Sequence, residues 1–288
     1  MNLAPDKEQF AEAISKIDKL SPAPRILSRA LGLLRDPDSE IGDIVALINN
    51  DPALTADIIR GSNTAYYGIG ERVASLDRAV QKIGFRESIR LLNLAVIHLI
   101  AARDLGSYGI GADDSWSESL FQGFFMENLA RETRGHEPDE TYTAGLLRYI
   151  GRLAINQVIH DLGGGTFWDG TTPLEAWEIE NAGMPHTTAG ARLLRAWKFA
   201  EPMCSAIEWQ NTPDAAPEGQ WLASALHFVA TLFPSSASVL TAIHDRQYEI
   251  VELPDLPFVQ RHALSPTRVQ EILIETRESF GAIRRGLF

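Results

Sequence analysis

Only one cysteine, Cys204, is present among 288 residues, which excludes an internal disulfide and fits a reducing compartment. On its own it reads as a small buried apolar residue on a helix and not as a nucleophile. Basic tracts are missing as well. The net charge is -12, and lysine and arginine occur singly or in pairs, so no electrostatic footprint for a phosphate backbone is visible and nucleic acid is not an expected partner. The longest apolar run, Leu91 to Ala102, is interrupted by Asn93 and His98 and falls short of the ~20 residues that span a bilayer. The N-terminus mixes charges through an amphipathic pattern and has no signal-peptide core. A cytoplasmic protein without a membrane partner is expected. Repeats and low-complexity tracts are absent apart from Gly163-Gly164-Gly165.

What is present is helical periodicity at the composition of a globular protein, with 45% hydrophobic and 22% charged residues. Phe10, Ile14 and Ile17 mark a first amphipathic helix. A second follows Pro22 and Pro24, with Ile26, Leu27, Ala30, Leu31 and Leu34 inward. Ser39 is the expected N-cap of a third, carrying Ile41, Ile44, Val45 and Ile48. Asp51 before Pro52 restarts the chain as an N-cap acid followed by proline at the first helical position. Ser75 caps a helix that Gly84 closes. Arg86 to Ala102 is apolar nearly all round and predicts a central buried helix. Residues 106–114 form a linker, beyond which Ser115 with Glu118 has the capping-box pattern. Later helices are expected around Thr143–Gly151, from Pro173, at His186–Trp197, Pro202–Gln210, Trp221–Phe233 and Pro266–Ile283. Only Tyr248–Leu253 alternates like a short strand, with nothing evident to pair with. The expected fold class is all-α.

Two blocks carry a resemblance. The first is Leu20-x-Pro22-x-Pro24, Asp51-Pro52-Ala53-Leu54-Thr55, Ser62-Asn63-x-Ala65-x-Tyr67 and Ser75-Leu76-x-x-Ala79-Val80-x-x-Ile83-Gly84. The second is Trp116-x-x-Ser119, Ala144-Gly145-Leu146-Leu147-x-x-Ile150-Gly151, Glu178-x-x-x-x-Gly183-x-x-His186-x-x-x-Gly190 through Trp197, and Ala206-Ile207. Together they resemble HDOD domains, helical output modules of bacterial signalling proteins related to the HD phosphohydrolases, and cover roughly Leu20 to Pro213. The resemblance implies a multi-helix HD-like bundle. Its N-terminal helical half would span 1–105, a linker 106–114 and a degenerate HD-like half 115–215, with 216–288 a C-terminal helical extension packing on the same domain. Asp51, Asn63 and the other motif residues (Pro22, Pro24, Pro52, Leu54, Ser62, Gly84, Gly145, Gly151, Trp197) read as structural. Asp51 would cap a helix, and Asn63 with Ser62 would satisfy backbone groups where the helix gives way to a turn.

In an active HD enzyme, the resemblance implies, the GLL-x-x-IG motif carries histidine then aspartate as metal ligands. Here those positions hold Arg148 and Tyr149; Glu118 precedes Ser119, and Gln210 and Asn211 stand where a histidine pair would follow Ala-Ile. Only His186 of the potential ligand set remains. A hard divalent cation needs several carboxylates or imidazoles converging on it, and guanidinium is neither. The expectation is no metal, no cofactor and no catalytic residue, with Glu118, Arg148, Tyr149, Glu178, His186, Gln210 and Asn211 lining a vestigial pocket. His186 reads either as a surviving ligand or as a helix-start histidine donating to Glu178. Arg148 either holds an anion or pairs with Glu118 or Glu178, while Glu118 itself reads as the capping-box acid. His160-Asp161 is a literal histidine–aspartate pair outside the motif. The remaining histidines, His98, His136, His227, His244 and His262, show no zinc spacing.

These features favour a non-catalytic signalling module acting through other signalling proteins. No receiver or cyclic-dinucleotide segment occurs within the sequence, so input is expected from a separate partner or a small ligand, an anion among them. The competing readings are a metal-dependent HD-type phosphohydrolase and a domain that binds a nucleotide or other anion without hydrolysing it.

Overall fold

The computed structural model describes residues 26, 29–30, 32–33, 36–49, 51–68, 72–134, 136–163 and 165–287. The expected first helix and the Pro22 and Pro24 restart lie outside the described residues, as do Leu27, Leu31 and Leu34. Helices dominate, and among the described residues no strand forms; one isolated bridge joins Leu105 and Ile110. The 248–253 segment is irregular chain, not a strand, with the Ile250 N–H held by the Gln270 side chain at 2.9 Å.

Helix α1 (Ile41–Ile48) starts one residue later than Ser39 predicts. Glu40 is its N-cap, because Asp43 reaches back to accept the Glu40 N–H at 2.8 Å. Helix α2 (Pro52–Ser62) starts as its sequence specifies. Asp51 Oδ1 accepts the Leu54 N–H at 3.1 Å, and Leu54 and Ile58 are fully buried. Past its end, Asn63 clamps a distant loop. Its Oδ1 accepts the Val73 N–H at 2.9 Å, and its Nδ2 donates to the carbonyls of Val73 at 2.8 Å and Ile59 at 3.0 Å. Ser62 donates to the Ile59 carbonyl at 2.9 Å.

Ser75 caps α3 (Leu76–Ile83), and Gly84, at φ +83°, turns the chain into α4 (Phe85–Ala101). That helix is buried from Ser88 through Ile97 without a break, the signature of a central element. Its buried Arg90 forks onto Glu127 of α5 (Ala112–Thr133) and lies among the rings of Tyr66, Phe124 and Tyr142, 5.4, 5.0 and 4.6 Å from their centroids.

The linker is ordered. It carries a 3-10 turn at Gly106–Tyr108, which buries Tyr108 against the second half. Helices α6 (Pro138–Leu147), α7 (Ile150–Asp161), α8 (Leu174–Ala182), α9 (His186–Ala196) and α10 (Glu201–Glu208) follow, with α6 packed along α5 and α9 along both α7 and α10. Beyond them come α11 (Gln220–Leu232), α12 (Ser236–His244), α13 (Pro257–Arg261) and α14 (Pro266–Leu287), of which α12 and α13 are not among the helices expected from sequence. Helix α14 packs on α5 and on α2, burying Val269, Ile272, Leu273 and Phe280. Phe121 of α5 meets Phe233 at 5.7 Å and Phe280 at 6.4 Å, centroid to centroid, within one continuous core. No single helix among the described residues is long and apolar enough to cross a membrane.

Candidate functional site

The GLL-x-x-IG stretch is a helix corner. Helix α6 ends at Leu147, Arg148 and Tyr149 form the turn, and α7 starts at Ile150. Leu146, Leu147 and Ile150 fix the corner in the core, and two glycines set its distance from neighbouring helices. A Cβ on Gly145 would stand 2.5 Å from the Gln122 carbonyl oxygen of α5. One on Gly151 would stand 1.9 Å from the His186 carbonyl oxygen and 2.5 Å from the Gly190 nitrogen, both in α9. Such backbone approach is open only to glycine. The motif therefore brings α6 against α5 and α7 against α9, on either side of the Arg148–Tyr149 turn.

Arg148 is buried and points between two amides. Its Nε donates to Gln210 Oε1 at 3.0 Å and its Nη1 to Gln122 Oε1 at 3.1 Å. Neither partner is an acid, which overturns the expected pairing with Glu118 or Glu178. The acid nearest in role, Glu118, is claimed one helical turn further on. Arg152 Nη1 donates to Glu118 Oε2 at 3.3 Å and to Ser236 Oγ at 3.2 Å, while the Ser236 hydroxyl donates to the same Glu118 oxygen at 2.9 Å. Glu118 is accordingly no capping acid. Its helix starts three residues before Ser115, at Ala112, and the Ser115 hydroxyl turns to the Ala101 carbonyl at 3.3 Å. Both guanidiniums rest on Tyr149, with Cζ 4.4 Å from the ring centroid for Arg148 and 3.4 Å for Arg152. Burial pulls the pKa of Arg148 down. At Arg152 the same burial is outweighed, first by Glu118, so its pKa rises.

His186 opens α9 and donates through Nδ1 to Glu178, 3.0 and 2.9 Å from the two carboxylate oxygens; its backbone N–H donates to Oε2 at 2.8 Å. A carboxylate only accepts, so the proton sits on Nδ1. The Tyr108 hydroxyl completes the cluster on Glu178 Oε1 at 2.9 Å. Burial would raise the pKa of Glu178, but the His186 charge, its two N–H groups and the Tyr108 hydroxyl outweigh it and hold the carboxyl below its usual range. Tyr108 is pushed well above the usual phenol by burial and then by the Glu178 charge.

Of the residues expected to share a pocket, Glu118, Arg148, Tyr149, Glu178, His186 and Gln210 do converge, and Asn211 does not. The chain turns after α10, so Gln210 faces inward while Asn211 is exposed and donates to Glu175 at 2.6 Å. Gln122, Arg152, Ser236 and Tyr108 join the cluster without having been expected there. Gln122 lies four residues after Glu118 on one helix, a spacing that marks a shared face, whereas Arg152 stands across the helix corner from Arg148; nothing in the sequence marks Tyr108 or Ser236. His160 is well exposed, outside the cluster.

These donors do not fit a divalent cation. Glu118 and Glu178 are each committed to cationic or hydroxyl partners, and two guanidiniums bring positive charge to the corner. Among the described residues no three histidine, cysteine, aspartate or glutamate side chains gather as a metal site. The cleft at Glu118, Tyr149 and Arg152 leaves about 10 Å³, space for one water at most. Chemically, the arrangement is a buried polar network in which Arg152 Nε is left without a hydrogen-bond partner.

The comparisons agree with this architecture. The family profile of the HDOD domain matches residues 20–213. An uncharacterized protein of Treponema pallidum (strain Nichols) is 27% identical over 213 residues, 72% of this chain and 41% of its own length; the chain spans about two fifths of that relative. An HDOD domain protein of Geobacter sulfurreducens superposes with a TM-score of 0.67 at 20% identity, over 97% of this chain and 96% of its own. A protein of Marinobacter aquaeolei VT8, named as a candidate signal transduction protein, gives 0.71 at 21% identity over 97% and 64%. One of Shewanella amazonensis SB2B, named as a candidate phosphohydrolase, gives 0.65 at 20% identity over 96% and 98%. At such identities the structural likeness carries the fold alone. The matched stretch covers more than half of the chain, includes both motif blocks and folds as the glycines demand: the chain belongs to the HDOD family.

Proposed function

We propose that this chain is a non-catalytic regulatory module of signal transduction, cytoplasmic and acting through contact with other signalling proteins. One observation carries the reading. Where an HD enzyme would hold a metal between histidine and aspartate, the corner presents Arg148 and Tyr149; Arg148 is held by Gln122 and Gln210, Arg152 and Gln122 bond Glu118, and the cleft beside Glu118, Tyr149 and Arg152 leaves about 10 Å³. A hydrolase needs an open coordination position and a water to activate. A corner occupied by two guanidiniums, with its carboxylates already bonded, offers neither, yet it keeps the surrounding helices in place for a partner to read.

The test is direct. Purified protein is assayed for bound metal and then incubated with Mn²⁺ or Mg²⁺ and a panel of nucleotides and phosphate esters. The expected result is less than stoichiometric metal and no turnover above buffer. Hydrolysis abolished by His186→Ala overturns the proposal. Affinity capture from native cytoplasm is expected to recover a specific partner, and a deletion strain without phenotype together with an empty capture argues against the role.

A further inference from the structure

A roomy cleft lies outside the motif centre. Residues 211–215 form one wall, α11 a second and α13 the third, and together they enclose about 380 Å³. That is within the ~300–1,000 Å³ usual for small-molecule sites, whereas the motif corner holds too little for any organic ligand. The cleft pairs apolar residues, Pro213, Ala215, Leu256, Pro257 and Phe258, with an equal number of polar ones. Pro213, Pro257 and the buried Phe258 supply flat carbon surface. The polar groups on its rim all accept or are neutral, and no lysine or arginine lines it.

Two of these acceptors are uncommitted. The Asp214 carboxylate has no hydrogen-bond or ion-pair partner among the described residues. His227 Nδ1 lies 3.0 Å from the Gln210 carbonyl oxygen. A carbonyl only accepts, so Nδ1 carries the proton, and a neutral ring keeps a lone pair on Nε2. No partner within the described residues takes that lone pair. Two acceptors beside prolines and a phenyl ring, on a chain of net charge -12, select against anions and for a ligand that donates.

We propose that the cleft between residues 211–215, α11 and α13 is a binding site for a small organic molecule with a flat apolar body and a donating amine or amidine end. The flat body lies on Pro213 and Pro257, with the buried Phe258 behind them, and the donor end reaches Asp214 and His227. The site goes beyond the regulatory role proposed above and stands whether or not that role holds. It is also placed to report inward: the residue whose carbonyl orients His227 is Gln210, whose side chain holds Arg148 at 3.0 Å.

The experiment is ligand-observed NMR with calorimetry on the full chain, using benzamidine and tyramine as probes, and benzoate and AMP as anionic controls. Benzamidine and tyramine are expected to bind saturably at one site, with benzoate and AMP at least tenfold weaker. Asp214→Asn, at an exposed residue, is expected to weaken benzamidine about twofold to fivefold, the range for a solvent-facing charge pair. Ala215→Trp, which fills the cleft from an exposed position, is expected to abolish binding while leaving the melting temperature unchanged. The proposal is overturned if neither amine binds saturably, if benzoate binds as well as benzamidine, or if the Ala215→Trp protein binds as the wild type does.

Discussion

Removing the carboxylate of Glu118 should be among the most damaging single changes in the chain. The residue is 2% exposed, and its side-chain oxygens accept from Arg152, Ser236 and Gln122. Arg152 Nε already lacks a partner, and Arg148 is held by amides alone. Glu118→Ala would therefore leave two buried guanidiniums at one helix corner with no carboxylate bonded to either. Breaking a buried pair from one side costs about 3–5 kcal/mol. Unfolding entropy of about 2.1 cal/mol/K per residue over 288 residues gives about 0.6 kcal/mol/K for a single cooperative transition, so the melting temperature should fall by about 5–8 °C. Glu118→Gln, which keeps an acceptor and the shape, should lose less. The double variant Glu118→Leu with Arg152→Met should recover most of the loss, because an apolar pair of similar volume often matches a buried ion pair. Thermal and chemical denaturation followed by circular dichroism measures all three. A loss under about 1 kcal/mol for Glu118→Ala, or a double variant no better than the single, would refute the reasoning.

Other perturbations test other parts of the molecule. Gly151→Ala would push a methyl into the His186 carbonyl at 1.9 Å, and we expect it to fold poorly, whereas Gly106→Ala, with nothing within 4 Å, should melt as the wild type does. Asn63→Ala removes three hydrogen bonds and leaves Val73 backbone groups unpaired, a loss of about 2–4 kcal/mol by denaturant titration. Burial lowers the pKa of His98 to about 4 from 6.5, so the unfolded chain binds more protons between those values and stability should rise with pH across that window; His98→Gln should flatten the slope. Glu178 has a depressed pKa, so its contribution is present above the usual carboxylate pKa of 4.5 and lost as pH falls through the folded value, and Glu178→Gln should remove that acid limb from a plot of melting temperature against pH.

Local chemistry was the legible part. Asp51-Pro52, Ser75 and Gly84 mark helix ends through bonds to residues three or four positions away, and the structure places all of them where the sequence does. The helical period of the central apolar segment likewise needs no partner to be read. Glu118 shows where that kind of inference stops. Its spacing from Ser115 is that of a cap, but the helix begins a turn earlier and a guanidinium 34 residues on decides the matter. Arg148 fails for the same reason, since charge suggests an acid and the fold delivers two amides. Gln210 and Asn211 are neighbours whose fates are set by a turn after α10, a detail no residue type announces. Helix α12 begins Ser-Ala-Ser, small residues that give little apolar period, and the capping exchange of Ser235 with Ser238 is its one local mark.

The packing of α14 joins what the family profile divides. The family profile ends at residue 213, yet Phe121 within it rests on Phe233 and Phe280 beyond it, and α14 covers both α5 and α2. A fragment cut at that boundary would bare aromatic faces on α5, each worth about 1.5–3 kcal/mol of burial, and would take Ser236 from the buried Glu118–Arg152 pair. The family profile stops about three quarters of the way along the chain, whereas the core it covers runs on into the last helix. Anyone trimming the protein to its recognisable part would be trimming away its own floor.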